Sequence, residues 1–348
     1  MSANAYIRNF NNEIKSETDT TFKAFCKLLV PQMRAPVRKR YDVKKIVKLL
    51  RGSFKIACKR QNSDIIVKLD KEGSHHILQT IMPDQPFIVD TIRMHLSAAG
   101  ATSISGYNTT LGIRRTDKGT LDALGKEEYP IESVVRLDIE GLDDENAQKA
   151  YSRIVSSLNL SKAMVRDFER MTSEVERATM RFTRKTQHEP DQLVRYNETA
   201  DFLRWLQQEN FVFMGVATDD NQYGFLNDSV KSYWNTEAKD HWNPTCGEFP
   251  IIVRKGAQES PVHRLGQVDE IFVQVPKERG SGYNRLIIQG LFTYRAVTQS
   301  SRHVPLLRRT LSTILQKDSS QRGSYRYKGI CNVFDSLPTE FLFSADAK

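Results

Sequence analysis

The chain has 348 residues, which at roughly 150 per domain predicts about two or three domains. Apolar residues make up 39% and charged residues 27%, with 18 Gly and 12 Pro, and this excludes a collagen-like or wholly disordered chain. The 51 basic and 42 acidic side chains leave a formal charge of +9, an excess that raises the question of a polyanionic partner without naming one. No apolar run approaches the ~18 to 20 residues of a membrane-spanning helix, and the opening MSANAYIRNF has no apolar stretch of the secretory kind, so a cytoplasmic location without membrane contact is expected.

In chain order, residues 1–20 are polar, rich in Asn, Ser and Thr, and expected to be frayed at the start. Phe22, Phe25, Cys26 and Leu29 follow at helical spacing, and Pro31 ends that helix. Asp42 suits the N-cap of a second helix bearing Val43, Ile46, Val47 and Leu50, with Gly52 as its stop. Short strands are expected at 55–59, 64–69 and 75–82. Pro86 then opens a helix with Phe87, Ile88, Ile92 and Leu96 on one face, closed by Gly100. Strands are expected at 102–115 and 131–139, where Val135, Leu137 and Ile139 alternate with Arg136 and Asp138, and a helix runs from Asp143 to about Leu158. With one further strand, the β, α, β, β, α order over 75–158 is the ferredoxin-like split βαβ unit, with two helices on one face of an antiparallel sheet.

Residues 161–189 read as a long charged helix with Met164, Val165, Phe168, Met171 and Val175 on one stripe, a connector to a second unit. That unit is expected to be α+β as well: a helix over 196–209, a strand over 211–217, a Gly, Asn and Asp-rich region to about Asn243, strands at 249–254, 269–275 and 285–294, and helices at 306–315 and from Ile330. The domain division is 1–74, 75–160, 161–195 and 196–348.

No catalytic constellation emerges from the motifs. Gly280-x-Gly282 lacks the third glycine of a dinucleotide fingerprint, Arg285 standing in its place, and the segment lies between two strands. No P-loop, Gly-x-Ser-x-Gly elbow or His-Glu-x-x-His pair is present. Cys26, Cys58, Cys246 and Cys331 lie too far apart to suggest a redox pair or a zinc site. Catalytic residues: none; metal ligands: none. Arg302, Arg308 and Arg309 flank an apolar helix, and Arg322, Arg326 and Lys328 interleave with Tyr325 and Tyr327, which keeps open a stand-alone nucleic-acid-binding module. The most informative stretch is the strand-to-helix turn Asp84-Gln85-Pro86-Phe87-Ile88, where free backbone donors and the helix dipole suit the carboxylate of a small ligand such as an amino acid. A tight turn with no ligand is the plain alternative.

Met82-Pro83-Asp84-Gln85-Pro86-Phe87-Ile88-Val89-Asp90-Thr91-Ile92 resembles a block near the start of the very large bacterial NAD-specific glutamate dehydrogenases. Further blocks follow in the family's order: Ile131 to Val134; Glu198 to Leu206 with Phe211 to Gly215; Val262-His263-Arg264; Gly290 to Thr293; Val304 to Arg309; and Leu337 to Phe343. The resemblance covers most of residues 80–343. It implies a regulatory and assembly region built from ACT-type βαββαβ domains, non-catalytic in itself. NAD and glutamate would be bound by a downstream catalytic domain, an amino acid would be the effector, and self-association is implied because ACT sheets and helices pair between copies. One position departs from the pattern: amino-acid-binding ACT domains often carry Gly after the loop proline, and Phe87 stands there.

Overall fold

In the computed structural model, residues 3–61, 64–234, 244 and 246–344 are described. The chain divides into two units, residues 1–159 with 261–264 and residues 160–260 with 265–348.

The opening segment of the first unit, expected to be frayed, is a helix, α1 (Ala3–Glu13). Its signal is the four-residue spacing of Tyr6, Phe10 and Ile14, all buried. In α2 (Thr20–Leu29), Asp19 caps the Phe22 N–H at 2.8 Å, and Phe22, Phe25, Cys26 and Leu29 are fully buried. A short α3 (Ala35–Arg40) precedes α4 (Val43–Ala57), whose N-cap Asp42 accepts from the Lys45 N–H at 2.7 Å. The α4 helix continues through Gly52 and takes in residues 55–57, expected as strand. A glycine inside a helix costs about 1 kcal/mol relative to alanine, and burying Leu49, Leu50, Phe54 and Ala57 along one stripe outweighs it.

The first sheet contains β1 (Ile66–Glu72), β2 (His75–Pro83), β3 (Ser103–Arg115), β4 (Leu121–Leu124) and β5 (Ile131–Glu140), with α5 (Ile88–Ala98) between β2 and β3. The order is β1-β2-β5-β3-β4, every pair antiparallel. After β5, α6 (Asp144–Lys185) is one continuous helix where two are expected, because no Gly or Pro interrupts those residues.

Both faces of this sheet are covered. Leu78, Met82, Val135, Leu137 and Ile139 pack with Ile88, Ile92 and Leu96 of α5 and with Ala150, Ile154 and Leu158 of α6. On the opposite face, Ile81, Tyr107, Leu111 and Val134 pack with Phe22, Phe25, Leu50 and Phe54 of the N-terminal helices. Arg136 and Asp138, which alternate with Val135, Leu137 and Ile139, lie on this second covered face and are only 4% and 5% exposed. They pair with each other at 3.3 Å, and the Tyr41 hydroxyl donates to Asp138. Beside them Ser53 Oγ lies 2.9 Å from Gln79 Oε1 and 2.8 Å from the Tyr107 hydroxyl, whose pKa burial pushes up to about 12.

At the end of the same sheet, Glu132 is gripped by two guanidiniums. Arg115 donates Nε and Nη2 to it at 2.7 and 2.8 Å, and Arg60 donates Nη2 and Nε at 2.5 and 3.1 Å. All three side chains are at most 3% exposed. Burial alone raises the Glu132 pKa, but hydrogen bonds and charge from Arg115 and Arg60 outweigh it and hold the carboxyl below its ordinary value. Replacing it strands two buried cations, so Glu132→Gln is expected to lose about 3 to 5 kcal/mol at neutral pH in urea unfolding. Because the folded-state pKa is the lower one, the wild-type advantage exists above the ordinary carboxylate pKa. It shrinks as pH falls through the depressed value, so the two stabilities converge in acid.

The second unit starts within α6 and continues with α7 (Leu193–Trp205), β6 (Phe211–Thr218), β7 (Gln222–Gly224), β8 (Ile251–Glu259), β9 (Gln267–Pro276) and β10 (Tyr283–Phe292). Its sheet order is β7-β6-β10-β9-β8, again antiparallel throughout, with residues 277–282 turning β9 into β10 as expected. The helices α8 (Tyr294–Thr298), α9 (Leu307–Asp318), α10 (Tyr325–Ser336) and α11 (Thr339–Ser344) complete it. Part of the Gly, Asn and Asp-rich region, residues 235–243, lies outside the described residues.

Candidate functional site

The strand-to-helix turn is built from both ends. Pro83 closes β2, the Asp84 N–H donates to the Ile131 carbonyl at 2.9 Å, and the Asp84 carboxylate accepts from the Ser133 hydroxyl at 2.5 Å. Helix α5 begins at Ile88 rather than at Pro86, so Phe87 is not on the helix face where the periodicity puts it. It precedes the first turn at φ 71°, ψ 6°, in the left-handed region, and no side chain caps the helix. The conformation is the one that suits glycine, and a phenylalanine holds it at a cost of order 1 kcal/mol.

What holds Phe87 there comes from far along the chain. Its ring meets the His263 imidazole edge-on with centroids 5.1 Å apart, and the His263 N–H donates to Thr91 Oγ1 at 3.2 Å. His263 is itself left-handed, at φ 73°. Burial lowers the His263 pKa, Arg264 lowers it further, and Asp90 opposes them. One turn on, the buried His95 Nε2 lies 2.8 Å from Ser157 Oγ and 2.9 Å from the Pro261 carbonyl. Burial lowers its pKa and favours the neutral ring. The loop residues Asp84 to Ile88 are therefore set against 131–133 and 261–264.

A second convergence lies in the other unit. Glu198 accepts the Leu306 N–H at 3.1 Å and Arg308 Nε at 3.0 Å, while Arg308 Nη2 reaches Asp201 at 2.5 Å. Leu306 is left-handed at φ 70°. Phe292 stacks on Phe343 at 5.4 Å, and Phe202 meets the same ring edge-on at 5.4 Å. At Gly290 the β10 register slips against β6, and a Cβ there would lie 2.0 Å from the Val212 carbonyl oxygen, so no larger residue fits.

Residues 27–154 match the family model described as the glutamate dehydrogenase ACT1 domain, and residues 304–348 match glutamate dehydrogenase helical motif 1. The NAD-specific glutamate dehydrogenase of Halomonas elongata is 22% identical over 307 residues, covering 79% of this chain and 18% of that protein. The Pseudomonas aeruginosa enzyme of the same name is 24% identical over 298 residues, covering 78% and 18%. The resemblance is to the NAD-specific glutamate dehydrogenases. This chain spans about a fifth of the length of these relatives and is similar to the part of the family that bears the ACT1 domain and the first helical motif, consistent with its N-terminal region. The helical motif corresponds to α9, α10 and α11.

These relatives lend no support to a nucleic-acid-binding module, and the local charges speak against it. Much of the basic stretch is neutralised internally: Arg302 pairs with Asp335 at 2.6 Å, Arg308 with Glu198 and Asp201, and Arg326 with Asp318. The cysteines are free thiols, with Cys26 and Cys331 buried. Among the described residues, no group of three or more His, Cys, Asp or Glu side chains is arranged to hold a metal ion, and no helix is long and apolar enough to cross a membrane.

The meeting of Phe87, Thr91 and His95 with residues 261–263 was not legible beforehand, since no local pattern links positions about 170 residues apart; Val262-His263-Arg264 stood out only as a family block. The left-handed backbone gives a direct test. Phe87→Ala loses the ring contact and keeps the strain, whereas Phe87→Gly loses the contact and relieves it. In urea unfolding the glycine variant is expected to be the more stable of the two by about 1 kcal/mol, the reverse of the usual order in a helix.

Proposed function

We propose that this chain is a regulatory and assembly region of an NAD-specific glutamate dehydrogenase, without a catalytic site of its own, and that its ACT-type unit senses an amino-acid effector. The whole enzyme would carry out oxidative deamination of glutamate to 2-oxoglutarate, with NAD bound by a catalytic domain outside this chain. A cytoplasmic location goes with that reaction.

The observation that carries this reading is the strand order of the first sheet. In sequence, β2, α5, β3, β5 and α6 follow the β, α, β, β, α order of a ferredoxin-like, ACT-type unit, with β4 as a short addition at the edge. In that reading β1 lies where the fourth strand would pair with β2, supplied from upstream instead of downstream. The effector contact is assigned to Asp84, Gln85, Pro86, Phe87 and Ile88, where the first turn of α5 has no side-chain cap and its dipole favours a carboxylate. Helix α6 is read as the link to the second α+β unit, and the exposed edge of β1 as a surface for pairing between copies in a homo-oligomer.

The 348-residue chain alone is expected to convert no glutamate with NAD, to sediment as a dimer or larger species, and to gain thermal stability with one of the common amino acids. Ligand at a hundred times its Kd adds about 2.7 kcal/mol, equivalent to several degrees in Tm. Turnover by this chain alone contradicts the reading, as does a monomer whose melting no amino acid shifts.

A further inference from the structure

A cavity of about 220 Å³ opens in the second unit between α6, the β6–β7 turn and the start of β10. Its ionic lining is Glu174, Arg177, Arg181, Asp219, Asp220 and Arg285. Two pairs are already made: Arg177 bridges to Glu174 one helical turn away, and Arg285 Nε reaches Asp219 at 2.8 Å. The turn bearing the aspartates is fixed by Thr218, whose Oγ1 accepts the Asp220 and Asn221 N–H groups at 3.3 and 3.0 Å. Among the described residues, the half-buried Arg181 and the exposed Asp220 are left without an ion pair or side-chain hydrogen bond. The carboxylate of Glu174 is buried, at 8% exposure, and its second contact is Asn221 Nδ2 at 3.4 Å.

One unpaired cation and one unpaired anion in a small cavity define what it can hold. A simple anion such as phosphate faces three carboxylates, and a simple cation faces three guanidiniums; each gains one partner and meets repulsion from the rest. A ligand bearing both charges satisfies both free groups at once. The volume is below the ~300 to 1,000 Å³ of sites for drug-sized molecules, which limits the occupant to a small metabolite.

We propose that this cavity is an amino-acid site separate from the 84–88 loop, in which Arg181 holds the ligand's carboxylate and Asp220, with Glu174 beneath, faces its ammonium. The proposal rests on the reading of this region as effector-sensing and adds to it a second location. An arginine fork suits a carboxylate because both oxygens are met by parallel N–H groups, which a lysine cannot reproduce.

The test is isothermal titration of the 348-residue chain with the common amino acids, followed by repetition of the tightest binder on variants. Arg181→Gln is expected to weaken it at least about tenfold, Asp220→Asn several-fold, and Arg181→Lys less than Arg181→Gln. The exposed Arg170→Gln on the same helix should leave binding unchanged. Circular dichroism and melting confirm that each variant is folded; should Arg181→Gln not fold, Arg181→Lys and Asp220→Asn decide. Binding that survives Arg181→Gln and falls with Gln85→Ala overturns the cavity site and leaves the loop reading standing. Binding that neither change weakens overturns the cavity site too, and absence of binding by any amino acid removes both.

Discussion

Coverage on both sides of the first sheet is the constraint from which much of that unit follows. A half-exposed antiparallel sheet leaves its polar face to water, whereas here α1 to α4 close over it and several polar groups beneath them are matched by protein. Arg136 with Asp138, Tyr41 on Asp138, and Ser53 between Gln79 and Tyr107 are those matches. The Arg60–Glu132–Arg115 group works on a larger scale. Arg60 also donates to the Asp64 carbonyl at 3.0 Å and Arg115 to the Ala57 carbonyl at 2.9 Å, so a single carboxylate anchors the end of α4 and the approach to β1 onto β5.

Local patterns were legible and global coverage was not. The stripe Phe22, Phe25, Cys26, Leu29 and the cap at Asp42 are properties of adjacent residues, and the structure has them where the sequence puts them. Alternation along β5 correctly separates Val135, Leu137 and Ile139 from Arg136 and Asp138, but alternation only says that the faces differ. Whether the polar face meets water depends on helices more than seventy residues upstream. The continuity of α6 is a milder case: no Gly or Pro interrupts it, so nothing in the backbone requires the break expected between about Leu158 and residue 161.

At the candidate sites the limit was conformational. Phe87, His263 and Leu306 all have left-handed backbone without being glycine, and each belongs to a block that carried the family resemblance. Such residues persist where long-range contacts over-determine them: Phe87 and His263 fix each other, and Leu306 is held by the Glu198 carboxylate. A spacing argument cannot show this, since it assigns Phe87 to the regular face of α5. Within the first unit the 82–92 block meets 262–264, and within the second 198–206 meets 304–309, and in each case the contact holds irregular backbone in place.

The origin of β1 bears on how the chain acquires its structure. Its register with β2, Glu72 opposite His75 and Ile66 opposite Ile81, is closed by a two-residue reversal at Gly73 and Ser74. An edge strand arriving after α6 would instead have to find β2 across a loop several times longer, and closing long loops is what slows sheet formation. Drawing that strand from just upstream makes this edge of the sheet a neighbourly contact, available early in folding and even while the remainder of the polypeptide is still emerging from the ribosome.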